Sequence, residues 1–164
     1  MVQPHELRFY EYVNRPYAVV RDALREDLGG IFARATRGAT DRADALAANL
    51  RVDLGGLEVG AAVTIEIVDV QERPHGPLGA VTTTVVELRW KATRAAAIFP
   101  SMEAELSIYP LSKDETQLDL QGVYRPPLGP IGGALDALVG HRIADASVHR
   151  FVSDIAKLLK TELP

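Results

Sequence analysis

The chain contains no cysteine. That removes a disulfide framework, a thiolate metal site and a cysteine nucleophile from consideration, and it fits a reducing compartment. Long apolar runs are missing too: nowhere do about 18 uncharged apolar residues follow one another, as a membrane-spanning helix requires. Met1-Val-Gln-Pro-His-Glu-Leu-Arg8 lacks a basic segment leading into an apolar one, so no export signal is expected and the expected location is cytoplasmic. Clusters of positive charge are absent as well. The formal net charge is −4, with arginines interspersed among acids, whereas a duplex-binding protein carries a basic footprint; no nucleic-acid partner is expected. The stretch Pro126-Pro127-Leu-Gly-Pro-Ile-Gly-Gly133 has the glycines of a phosphate loop but no Gly-Lys-Ser/Thr, and no Gly-x-Ser-x-Gly elbow occurs anywhere. No cofactor is expected, and covalent catalysis is disfavoured.

What remains is ordinary globular material. At 164 residues, 47% hydrophobic and 24% charged, the chain reads as a single domain, 1–164, able to bury about 70% of its unfolded surface. Leu7 to Val13, with Phe9, Tyr10 and Tyr12, reads as a strand. Asn14-Arg15-Pro16 reads as a helix start, and Val19, Val20, Ala23 and Leu24 fall at helical spacing before a stop at Gly29-Gly30. Ile31 to Asn49 is Ala-rich and helical. Leu50, Val52 and Leu54 alternate with Arg51 and Asp53, predicting a half-buried strand, and Ala61 to Val70 predicts another before the turn Arg73 to Gly79.

The clearest alternation comes next. Val86, Leu88 and Trp90 share one face of Ala80 to Ala92, with Glu87, Arg89 and Lys91 on the other. Met102, Ala104, Leu106 and Ile108 oppose Glu103, Glu105 and Ser107. Leu118, Leu120, Gly122 and Tyr124 oppose Gln117, Asp119 and Gln121, after a turn at Ser112-Lys-Asp-Glu115. Glu103 and Glu105 are expected across from Arg89 and Lys91, where they would set register more than stability.

From Ala134 to Glu162 only Gly140 interrupts a helical pattern. Ala137, His141, Ala144, Val148, Val152, Ile155 and Leu159 fall on one arc, with Phe151 and Leu158 at its edge and Asp136, Arg150, Ser153, Asp154 and Lys157 opposite. At about 45 Å the helix matches a 12-residue strand of about 40 Å, so it can lie along a whole sheet face. The arc is small or polar in its first half and large and apolar in its second. Close packing then demands either a close approach of the sheet to the first half or a cavity there.

This order of elements resembles the helix-grip fold of the START-related SRPBCC superfamily, which includes polyketide cyclase/dehydrase-like proteins and plant pollen-allergen relatives. The resemblance is carried by the Trp90 strand, the strand Met102 to Tyr109 with its Pro110-Leu111 end, and Tyr124-Arg-Pro-Pro-Leu-Gly129 leading into Leu135-Asp136-Ala137-Leu138. It implies an α+β domain: a curved antiparallel sheet of six or seven strands wrapped around a long C-terminal helix, with two short helices after the first strand. It also implies an internal cavity for an apolar or amphipathic small molecule.

On that reading the ligand would be lined by Val86, Leu88, Trp90, Met102, Leu106, Ile108, Leu120, Tyr124, His141, Ala144 and Val148. No catalytic set maps cleanly; His141 and Tyr124 are weak candidates for the rival reading, a polyketide cyclase or aromatase-like enzyme. A third reading is a filled-core protein-interaction domain, and a homodimer is left open. His141, Asp145 and His149 stand at i, i+4 spacing, but the histidines lie about 12 Å apart along the axis, so no metal is expected. Thr82 and Thr84 share the parity of Trp90. High Ala and Arg with little Lys suggests a GC-rich bacterial source.

Overall fold

The computed structural model describes residues 4–53, 63–79, 81–92, 101–125 and 141–164, with side chains left aside at 40–53, 63, 75, 91–92 and 141–144. Its elements are β1 (His5–Val13), α1 (Tyr17–Asp53), β2 (Val63–His75), β3 (Val81–Ala92), β4 (Ser101–Ser112), β5 (Glu115–Arg125) and α2 (His141–Glu162). The strands form one antiparallel sheet in the order β1-β5-β4-β3-β2. Helix α2 packs between β1 and α1, so it is covered on two sides.

The three strongly alternating segments fold as expected, because each has one apolar face to bury. In β4, Met102, Ala104, Leu106 and Ile108 are buried, and in β5 Leu118, Leu120, Gly122 and Tyr124 are. The two strands are joined at Lys113-Asp114, where the Asp114 amide donates to the Ser112 hydroxyl at 3.3 Å.

Four expectations need correction. The described residues hold five strands where six or seven were expected, and Leu50 to Asp53 is helical. No glycine or proline separates that run from the Ala-rich stretch before it, so extending an existing helix, already past its costly nucleus, outweighs a short alternation. Two helices do follow β1, but they meet at a break at Asp27 (φ −142°, ψ 45°), ahead of the glycines expected to separate them, and the second is not short, running on to Asp53. The Asp27 carboxylate accepts the Gly30 amide at 3.1 Å, capping the part of the helix beyond the break, and a Cβ on Gly30 would run into that carboxylate. Finally, Arg89 does stand opposite Glu103, but Glu105 stands opposite Glu87, with Arg73 reaching both carboxylates at 3.2 and 3.4 Å.

Helix α2 buries Val148, Phe151, Val152, Ile155, Ala156 and Leu159. Phe151 is central to that face, where the arc put it at the edge, because burial against α1 as well as the sheet widens the apolar stripe. Its ring meets Trp90 of β3 edge-on at 5.4 Å and Phe32 of α1 edge-on at 5.5 Å, joining the three layers. At the far end Arg15 donates to the carbonyls of Lys160 and Leu163 at 3.2 and 3.3 Å, satisfying acceptors that the helix terminus would otherwise leave open.

Candidate functional site

Three contacts give the direction of α2 over the sheet. Arg15, just past β1, caps its C-terminus; the Ser153 hydroxyl donates to Glu11 at 2.9 Å; the His149 ring lies 5.6 Å from Phe9. Two strand residues span about 6.6 Å and four helix residues about 6 Å, so α2 steps back along β1 nearly in phase. Along β1, Leu7 is then level with the turn at Asp145.

Strand register sets rows across the inner face, which α2 crosses obliquely, since Phe151 meets Trp90 of the His5 row while Ser153 meets Glu11. Leu7, Gly122, Ala104, Leu88 and Ile67 form one row, and His5, Tyr124, Met102, Trp90 and Ile65 the next toward the start of α2. On the other side of the first row run Phe9, Leu120, Leu106, Val86 and Val70. The middle of the Leu7 row is small. Met102 folds across it, its sulfur 2.8 Å from where a Gly122 Cβ would sit.

Nine of the eleven proposed lining residues therefore belong to one buried cluster: Val86, Leu88, Trp90, Met102, Leu106, Ile108, Leu120, Tyr124 and Val148. The side chains of His141 and Ala144, and the segment 126–140 before them, lie outside the described residues. Tyr124 is fully buried, 5.8 Å from the His5 ring. Thr84 is buried and shares a 2.7 Å hydrogen bond with the Tyr17 hydroxyl, whereas Thr82 is exposed. Among the described residues no three His, Cys, Asp or Glu side chains gather as a metal site, and no helix is long and apolar enough to cross a membrane.

The outer face holds two features that alternation did not mark. A trough of about 580 Å³ crosses the strands between Glu6 and Val68, lined by Glu6, Glu87, Glu103 and Glu105 and also by Arg8 and Arg89. Beside it Asp119, nearly inaccessible, takes a bidentate pair from Arg8 at 2.7 and 3.1 Å and the Tyr109 hydroxyl at 3.4 Å. The Asp119 partner raises the Arg8 pKa above its ordinary value. Burial first, and the neighbouring carboxylate second, push the Tyr109 hydroxyl up. Arg8 and Asp119 are 111 positions apart, so only an outward-facing acid in a strand pattern hinted at the pair.

The structure of TTHA0849 from Thermus thermophilus aligns with 96% of this chain and 99% of its own, with a TM-score of 0.50 and 16% sequence identity. The fold is the helix-grip fold. The likeness is one of fold, an antiparallel sheet with a long C-terminal helix. The helix-grip match extends, at lower TM-scores, to the Zhui aromatase/cyclase from Streptomyces sp. R1128 (0.43; 16% identity; 98% of each chain) and a START superfamily protein from Mycobacterium smegmatis (0.42; 10% identity; 96% of this chain, 99% of that one). No protein-family model matches the sequence, and neither does any curated protein. The helix-grip likeness accordingly speaks to fold and not to activity.

Proposed function

We propose that this chain binds a hydrophobic or amphipathic small molecule between the inner face of the sheet and the first turns of α2. The observation that carries the reading is a gradient of side-chain volume. Around Phe151 the layers are filled by Trp90 and Phe32, and farther along α2 by Ile155 and Leu159. In the row beside Trp90, the sheet offers Gly122 and Ala104, covered by the unbranched thioether of Met102. Interiors pack to near-crystalline density, so small residues in the middle of a buried face call for a guest or a close approach. Methionine is the side chain that yields most easily to a guest. The ligand would meet mostly apolar atoms, with Tyr124 and His141 as candidate polar handles.

Native mass spectrometry of gently purified protein, with uptake and displacement of a lipophilic dye, tests this. The wild-type chain is expected to take up the dye or carry a copurified compound, and Ala104→Phe to lose dye binding while keeping its circular dichroism. A wild-type chain with neither dye nor cargo refutes the reading in favour of a filled core.

A further inference from the structure

An antiparallel sheet can face water on one side, so exposure of the outer face assigns nothing by itself. Here, however, the face is divided into two unlike parts. At the Val13 end of β1, Tyr10 and Tyr12 are 56% and 42% exposed and meet edge-on at 5.8 Å, forming an aromatic ridge. Beyond Arg8, toward the start of β1, lies the trough. One part offers a ridge with phenol donors, the other a hollow in which four glutamates outnumber two arginines.

We propose that a second copy of this chain docks on the outer sheet face, the Tyr10-Tyr12 ridge of each copy seated in the trough of the other. Glu6, Arg8, Tyr10 and Tyr12 alternate on one side of β1, spaced about 6.6 Å apart. A two-fold axis lying across the strands midway between Arg8 and Tyr10 reverses the strand direction. It sets Tyr10 over Arg8 of the second copy and Tyr12 against its Glu6, and makes each contact twice, as an isologous interface requires. Arg8 is already held by Asp119, so little is lost in ordering it beneath an aromatic ring. Tyrosine and arginine are the side chains that dominate such interfaces. Five strands about 4.8 Å apart and about 36 Å long give a face of the size, roughly 800 Å² per partner, that a standard interface uses.

This does not depend on ligand binding and is read by a separate measurement, sedimentation equilibrium of the full chain. The wild type is expected to dimerise, and Tyr12→Asp and Glu6→Lys each to weaken the dimer by about tenfold or more. Mixing the two variants is expected to restore it, because the introduced carboxylate then faces the introduced ammonium while the natural Tyr12–Glu6 contact survives on the other side. A wild-type chain monomeric up to about 1 mM overturns the proposal. So does a dimer indifferent to both charge variants, or a mixture that stays apart.

Discussion

The two faces of the sheet are held by different physics. The inner face is cemented by volume: Leu106, Ile108, Leu118 and Leu120 are fully buried, and Phe151 ties them to both helices. The outer face is organised by charge: Arg8 with Asp119, Arg73 with Glu87 and Glu105, Arg89 with Glu66. Burial of apolar area stabilises a domain far more than half-exposed ion pairs do, but ion pairs discriminate registers that apolar residues tolerate. The inner face thus supplies stability and the outer face orientation.

That contrast predicts an order of sensitivities. The largest effect belongs to Phe151→Ala, which opens a cavity where three layers meet and is expected to cost about 3–5 kcal/mol in urea unfolding. A loss below about 1 kcal/mol would show that the layers are not joined there. On the outer face, Asp119→Ala is expected to cost less, about 1–2 kcal/mol, because Arg8 regains water while Tyr109 loses its acceptor. An effect as large as that of Phe151→Ala would erase the distinction between the faces.

The smallest effect is one of pH. The Tyr109 hydroxyl is raised above its ordinary value of 10.0, so the folded state holds this proton more tightly than the unfolded state does. Its contribution is complete below that value and is lost as pH rises through the folded pKa, and Tyr109→Phe should flatten that part of the stability curve. A wild-type curve identical to that of the variant above pH about 10 would refute the link.

Much of the inner face was legible because period-two patterning needs only local sequence. Met102 to Ile108 and Leu118 to Tyr124 declare their buried sides without reference to anything else. The outer organisation was not legible, since Arg8 and Asp119 look like ordinary solvent-facing charges until β1 and β5 are paired. Helix boundaries misled for a related reason. Gly29-Gly30 is the stronger stop signal on paper, yet the side chain of Asp27 makes the break and caps the helix beyond it. Leu50 to Asp53 alternates like a strand but continues a helix already under way. Of the candidate site, the burial of its strand residues was visible from parity, whereas the fold of Met102 over Gly122 depends on a cross-strand neighbour.

The clasp of Arg15 on the carbonyls of Lys160 and Leu163 joins positions at opposite ends of the fold's chain order. During synthesis the strands emerge first, and the apolar side of the sheet has no lid until α2 has been made. Contacts of such long sequence separation make folding slow and leave it open to aggregation. Arg15 is therefore a latch that can close only once α2 has been made, and removing the last turn of that helix would leave the latch with nothing to hold.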